Sequence, residues 1–307
     1  STRKESSAAS AVYKRQIFDW DWANFYYQNQ IPYYPKLTSM LPFTSVTTEH
    51  LLGESCKELM DKYEEYYENG PYSSSHFLFL TLNECALFAS YGYIIRDSFQ
   101  YHFTNNNYDS FDGFLETLKS KKAKQIRKER KFDPEITFSR ITGAELTLEH
   151  ATIMYQCYLN TIQIKNAHPY LNQAFFKEIF QNMRDNIVFA IANKNNKIIA
   201  GALYFYGDDK LYGRYWGCLD ETPNLHFELC YYQGIEFCIE KKIKVFEAGA
   251  QGEHKISRGF KPTKTFSAHK FKSPQIQEIM SKYIDDERSE VERVMPLLAK
   301  KLPFKNG

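Results

Sequence analysis

In NIVFAIANKNNKIIAGALYFYGDDKLYGRYWGC (Asn186–Cys218) three apolar and aromatic runs are parted by two short polar turns. NIVFAIA, KIIAGALYFYG and KLYGRYWGC each have strand length and composition, and the turns are too short for a crossover. The stretch therefore predicts an antiparallel meander. Gly213 and Gly217 inside the third run point to a bulge or a close backbone approach. Upstream, EITFSRI alternates like a strand, and Leu146–Gln163 and Asn172–Met183 read as helices. Downstream, a helix is expected from about Leu225 to Lys241, with Leu229, Tyr232, Ile235 and Ile239 at core-facing spacing. The strand KVFEAG, the dense stretch FEAGAQGEHKISRGFKP (Phe246–Pro262), the strand KTFSAHKF and a long amphipathic helix from Pro274 follow.

The order strand, two helices, three antiparallel strands, helix, strand, strand is that of a GNAT-like (N-acyltransferase-like) domain. The first half is less regular. Asp19 is placed to cap a short helix beginning at Trp20, and Pro32, Pro35 and Pro42 then force extended or turning backbone. A helix over Glu54–Asn69 stops at Gly70-Pro71. SHFLFLTL reads as a buried strand, followed by a short helix at about Asn83–Tyr91. Phe111–Lys131 reads as one long helix ended by Pro134. The fold class expected is α/β (α+β), two GNAT-like domains in tandem with mixed, largely antiparallel sheets. Residues 1–133 form the first, which is expected to be incomplete, and residues 134–307 the second.

Composition narrows the function. Apolar residues make up 43% of the 307 and charged residues 25%, which suits a folded globular chain. A net charge of +2 marks neither a nucleic-acid-coating protein nor an acidic one. The chain holds 23 Tyr and 24 Phe, and tyrosine can line a cleft as well as a core. Six cysteines without a C-x-x-C pair suggest free thiols and a reducing, cytoplasmic setting. The eight histidines include no H-x-x-x-H pair, so no metal site is expected. STRKESSAASAVYKR has no apolar core of a secretory signal and reads as a trimmed start. Phe77–Ile95 is interrupted by Asn83, Glu84 and Gly92, unlike a membrane span.

Several blocks resemble a known family. LYGRYWGC, LHFELCYYQGIEFCIE and FEAGAQGEHKISRGFKP, with FDWDWA, YYPKL, PFT and QYHFTNNNYDSFDGFLETLKSKKAKQIRKER earlier, are similar to the FemAB-like N-acyltransferases of peptidoglycan biosynthesis/recognition. The chain is more distantly similar to the Fem aminoacyltransferases, whose two GNAT-like domains bind the acceptor between them. Where the Fem motif F-K-K-G-F would place a lysine, Ser257 stands, followed by Arg258. The resemblance implies transfer of an acyl or aminoacyl group onto an amine acceptor, with a cell-wall precursor as the acceptor class. It also makes His226 and Glu228 candidate substrate-binding residues.

Acyl transfer to an amine needs a base, a group to meet the oxyanion and a grip on the donor. Glu247, at the carboxyl end of a strand among apolar neighbours, is a candidate base with an expected raised pKa. The alternative is a structural ion pair with Arg214 or Lys255. His254 lies in a glycine-flanked loop, and Gln251 is positioned to donate to an oxyanion or to cap the turn. Lys255 and Arg258 are candidates to hold a phosphate, or are solvated charges. Tyr212, Arg214 and Trp216 alternate on one strand face as a substrate wall or as packing. The expectation is that Glu247, Gln251, His254, Lys255 and Arg258 line one cleft opposite His226 and Arg214.

The donor is less legible. CLDETPNLHFE, where a coenzyme A-binding domain carries its glycine-rich pyrophosphate turn, is acidic and has no glycine. The basic run Lys119–Lys131 could follow a tRNA backbone or be a solvated face. Aminoacyl-tRNA and acyl-CoA both stay open as donors, with no covalently bound cofactor. Three readings remain: an N-acyltransferase, an acetyl-CoA-dependent acetyltransferase, and a non-catalytic peptide- or muropeptide-binding module.

Overall fold

The computed structural model describes residues 19–249 and 252–305. Helices α1 (Trp20–Gln28), α2 (Cys56–Asn69) and α3 (Leu82–Ser90) interleave with strands β1 (Leu37–Ser39), β2 (Ser74–Leu80) and β3 (Ile94–Thr104). Helices α4 (Phe111–Glu116) and α5 (Ser120–Glu129) lead to β4 (Ile136–Thr142), α6 (Leu148–Ile164) and α7 (Gln173–Asn182). The meander follows as β5 (Ile187–Lys194), β6 (Lys197–Tyr206) and β7 (Lys210–Cys218), antiparallel throughout. Helix α8 (225–241) opens with Leu225–Phe227, passes through a π turn at Glu228–Tyr232 and continues as Gln233–Lys241. Strand β8 (Val245–Glu247), a 3-10 turn at Glu253–Arg258, β9 (Lys261–Phe271) and α9 (Pro274–Ala299) complete the chain.

The described residues form two compact units that do not follow the expected boundary at residue 133. The first comprises 19–101, 252–253 and 262–301, and the second 102–249, 254–261 and 302–305. The reason is packing. Strand β9 pairs antiparallel with β2, and Ile276, Met280 and Ile284 of α9 share a core with Trp22, Tyr26 and Tyr33. The C-terminal elements thus complete the first unit, whose strand order is β1-β2-β9-β3. In the second unit the order from the end of β3 is β8-β7-β6-β5-β4. There α6 and α7 bury Met154, Tyr158, Phe176 and Phe180 against Phe189, Leu203 and Tyr215. Only β1–β2 and β7–β8 pair in parallel among the registers described.

Three local expectations need correction. Asp19 precedes α1 but its carboxylate makes no cap, because it accepts from Lys36 Nζ and Tyr33 Oη. The single helix Phe111–Lys131 is two. Between them Lys119 N donates to Pro303 O at 2.7 Å, and Lys305 N to Thr117 O at 3.0 Å. The C-terminal tail thus takes the backbone groups a continuous helix would have used. Strand β3 was hidden from pattern reading because its run mixes buried polar residues with apolar ones. Arg96, for example, is buried where Glu287 meets it in two hydrogen bonds, of 2.7 and 3.0 Å, and its guanidinium lies 5.0 Å from the Trp22 ring centroid.

The first unit also buries a chain of four polar groups. His76 and His269 share an Nδ1–Nδ1 hydrogen bond of 2.9 Å, and each Nε2 lies 2.8 Å from a serine hydroxyl, Ser74 and Ser267. One ring must donate and the other accept, so the pair is built for neutral imidazoles. Burial pushes His76 down to about 3 and His269 well below its ordinary value, with Lys36 and Arg96 adding to both shifts and Asp19 opposing that of His76. Both folded-state values lie below the unfolded value of 6.5, so their stabilisation is complete above pH 6.5 and is lost as the pH falls toward 3. In that window the unfolded chain binds more protons, and each histidine removes up to about 1.4 kcal/mol per pH unit. The calorimetric Tm should therefore fall from pH 6.5 to 4, and less steeply in His76→Gln.

Candidate active site

Strands β7 and β8 run together only at Lys210–Tyr212 and Val245–Glu247. Beyond Glu247 the second strand ends, while β7 continues to Cys218. The backbone acceptors on the continuing part are met from α6, where Thr161 Oγ1 donates to Trp216 O at 2.8 Å and Asn160 Nδ2 to Cys218 O. This close approach requires Gly217, since a Cβ there would sit 1.9 Å from the Cys157 carbonyl oxygen. Where the strands part lies a cavity of about 120 Å³, walled by Arg214, Trp216, His226, Cys230, Tyr231 and the Ala248–Gly249 segment. A site at the carboxyl ends of parting parallel strands is a common place for a ligand.

Sequence features aim each group. The register passes from Leu203–Tyr215 to Tyr204–Gly213, leaving Arg214 as the extra residue of a β-bulge. Its Nε is buried without a hydrogen-bond partner, and Nη2 lies 3.3 Å from Tyr215 Oη. The π turn spreads Glu228–Tyr232, and the buried Tyr204 hydroxyl takes the Leu229 carbonyl. Gly249, at φ 77°, turns the chain after β8 in a conformation open to glycine.

The cavity favours neutral nitrogen bases. His226 packs 4.8 Å from the Trp216 ring, and burial, aided by His254, Lys255 and Arg258, pushes it down to about 4. His254 Nε2 lies 2.8 Å from Tyr231 Oη, and burial with Arg258 and Lys255 likewise brings it to about 4. Burial holds the Tyr231 phenol well above its ordinary value. Lys255 is 1% exposed and donates to Gly249 O. Burial lowers it to about 7, so near neutral pH both its forms are populated.

The single cleft expected from the sequence is divided. Arg214, Trp216 and His226 line the cavity and His254 reaches it through Tyr231, but Glu247, Lys255 and Arg258 are not among the lining residues. Gln251 lies outside the described residues. Glu247 is not alone among apolar groups: Oε1 accepts from Lys210 Nζ at 3.1 Å, and His102 Nε2 is 3.9 Å from Oε2. The ion pair considered for it exists, with a partner other than Arg214 or Lys255. Cross-strand register explains this, since His102 stands directly opposite Glu247 on β3.

Arg258 is not an open phosphate grip. It is 3% exposed, with Nη2 on Glu129 at 2.8 Å, Nε on Tyr232 Oη at 2.9 Å and Nη1 on His254 O at 2.8 Å. Its guanidinium lies 3.6 Å from the Phe227 ring centroid. Glu228, 1% exposed, binds Arg130 through two hydrogen bonds of 2.8 and 2.9 Å and accepts from Gln233 at 2.7 Å. Arg130 also reaches Glu236 at 2.7 Å. These residues tie α5 to α8, so the basic run is not purely a solvated face. Its exposed charges include Lys119, Lys121, Lys124, Lys128 and Lys131, while Arg127 pairs with Asp112 at 3.1 Å.

Helical spacing puts Cys230 on the face of His226, but sequence reasoning missed Tyr231 in the cavity wall, Glu129 and Arg130 as partners of Arg258 and Glu228, and Lys210 and His102 beside Glu247. Tyr231 sits inside the block LHFELCYYQGIEFCIE. Regular helical spacing places residue 230 beside 226 but gives no sign of the π turn at Glu228–Tyr232 in which Tyr231 stands.

The fold is mixed α/β and GNAT-like, with a cavity where two parallel strands part. The chain belongs to the FemAB-like family of peptidoglycan biosynthesis/recognition, which matches residues 7–306. No curated protein matches it. Among solved structures it is similar to L-PGS from Bacillus licheniformis (12% identity, 75% of this chain and 78% of the other, TM-score 0.54). A domain assigned to a lysylphosphatidylglycerol synthetase from Agrobacterium fabrum is comparable (11%, 74% and 77%, 0.54). So is FemX (10%, 73% and 78%, 0.50). At these identities the likeness is one of fold. Among the described residues no helix is long and apolar enough to cross a membrane.

Proposed function

We propose that the protein transfers an acyl or aminoacyl group onto the amine of a peptidoglycan precursor or a similar acceptor, at the cavity between β7 and β8. The observation that carries this reading is the wall itself: a buried guanidinium nitrogen without a partner, a neutral imidazole and a phenol face one small space. The acceptor amine attacks the donor carbonyl in its neutral form, and His226 takes the proton that the attacking nitrogen gives up as the C–N bond forms. The carbonyl π electrons move to oxygen, where Arg214 Nε–H meets the negative charge. Collapse re-forms the carbonyl and breaks the bond to the donor oxygen, which takes the Tyr231 proton. The His226 imidazolium, its ring 5.3 Å from that of Tyr231, restores the phenol, while His254 Nε2 orients the hydroxyl. In this scheme Glu247 holds the end of β8 through Lys210, and Lys255 holds Gly249; both are positioning residues.

A phenol held above its ordinary pKa suits an alkoxide leaving group better than a thiolate, which favours an aminoacyl ester such as aminoacyl-tRNA. The exposed lysines of α5 offer a surface for its phosphates. The Cys218–Glu228 segment supplies no glycine turn for a pyrophosphate, and Asp220 and Glu221 are exposed there. Titration calorimetry with acetyl-CoA should accordingly show no micromolar site, and one such site per chain would restore the acetyltransferase reading.

The direct test incubates the protein with an amine-bearing muramyl peptide and either labelled aminoacyl-tRNA or acyl-CoA. A mass gain of one aminoacyl residue on the peptide is the expected product. Saturable peptide binding with no product from either donor would instead establish the binding-module reading.

A further inference from the structure

The cavity between β7 and β8 has a charge balance that discriminates among acceptors. Arg214 stands in its wall, and the groups that meet its guanidinium are phenols: Nη2 lies 3.3 Å from Tyr215 Oη, and Tyr170 also hydrogen-bonds the side chain. Among the described residues no carboxylate forms an ion pair with Arg214. No aspartate or glutamate lines the cavity either. The neighbours of His226 act in one direction, since His254, Lys255, Arg258 and Lys165 all oppose its protonation. The cavity measures about 120 Å³, and a water takes roughly 30 Å³ of liquid. It therefore holds a handful of heavy atoms, the head group of a larger ligand.

We infer that the acceptor group entering this cavity is an amino-carboxylate, an amine with a free carboxylate on the same carbon, and that Arg214 pairs with that carboxylate. The inference rests on the transfer reading above and narrows its acceptor. An isolated alkylammonium, as on a lysine side chain, would leave water for a space that holds a guanidinium and no anion. It meets repulsion there and no compensating partner. An amino-carboxylate brings its own anion. The carboxylate accepts from the Arg214 fork, and the nitrogen is left for His226. A guanidinium has five N–H donors, so its outer edge serves the carboxylate while Nε meets the oxyanion of the donor. A phosphate would satisfy the same guanidinium but offers no nucleophile. Pairing through the fork also fixes the orientation of the attacking amine, which a single flexible methylene chain does not. The free end of a diaminopimelyl residue is such a group, and that of a lysyl residue is not.

Three muramyl tripeptides, identical except at the third residue, test this on the intact chain. One carries meso-diaminopimelate, one the same residue with the carboxylate beside its free amine converted to a carboxamide, and one lysine. Calorimetry without donor reads binding, and mass spectrometry with aminoacyl-tRNA reads transfer separately. The diaminopimelyl peptide should bind about ten- to a hundredfold more tightly than the other two, the range for hydrogen bonds to a charged group. Arg214→Gln should bring the three peptides to within about threefold of one another, and Arg214→Lys, which keeps the charge without the fork, should retain part of the preference. The three-peptide comparison on the unaltered chain needs no variant and stands even where one fails to fold. Preference for the free carboxylate with no transfer would support the site and count against the transferase reading. Transfer to all three peptides at equal affinity would overturn the inference and leave that reading in place. No binding of any of them, or a preference that survives Arg214→Gln in a folded variant, also overturns it.

Discussion

The Tyr231→Phe variant is expected to transfer its acyl group about 100 to 10,000 times more slowly than the wild type from an ester donor, the range of a lost general acid. Tyr231 lines the cavity and contacts His254 Nε2 at 2.8 Å. Phenylalanine keeps the ring, which packs against His226, Phe227 and Phe260, so the Tm should change little. Leaving-group dependence separates this role from a structural one. An alkoxide needs a proton as it departs, whereas a thiolate leaves without one. The defect should therefore shrink markedly when an activated thioester of the same acyl group is supplied. An equal defect with both donors would show that Tyr231 shapes the cavity and donates nothing. No defect with either would remove it from the chemistry.

Arg258→Ala is expected to act on stability, with a loss of about 3–5 kcal/mol, as when one partner of a buried ion pair is removed. The side chains of Arg258 and Glu129 are 4% and 12% exposed. Truncation leaves the Glu129 carboxylate with uncharged partners, the Tyr232 hydroxyl and the Gln125 amide, and it uncovers the Phe227 ring. For a chain of this size the midpoint of thermal unfolding should fall on the order of 10 °C. The double variant Arg258→Met/Glu129→Leu should recover much of that loss, because no charge is then stranded. A small change in Tm with a large loss of donor affinity would return Arg258 to the substrate-binding role suggested by its sequence position.

Both outcomes bear on what a chain of this kind announces in one dimension. The meander was legible because its strands are apolar and aromatic runs of strand length, and because the polar NKNN and GDD between them are too short for anything but a turn. β7 was read to its last residue, Lys210–Cys218, and α8 to both ends, 225–241. The glycines at 213 and 217 marked a bulge and a close approach, and the structure has both. The family blocks likewise lie in the linear order of the chain and were visible there.

Which side chains share a space was decided by tertiary structure. The sequence places Glu247, Lys255 and Arg258 in one dense run with three glycines, and proximity along the chain made them look like one site. A charge, however, is set by whatever the fold brings to it from elsewhere. Lys210 and His102 reach Glu247 from neighbouring strands, and Glu129 reaches Arg258 from 129 residues away. None of these partners has a local signal, because an ion pair between distant segments leaves no periodicity in either. The same holds for the unit boundary: α9 looks like an ordinary terminal helix, and only its packing on Trp22 and Tyr26 shows which core it completes. Local pattern fixes what each segment becomes, since backbone geometry and apolar spacing act over a few residues. Burial and partnership act across the whole chain, and they determined which of the conspicuous residues face a cavity and which hold the fold together.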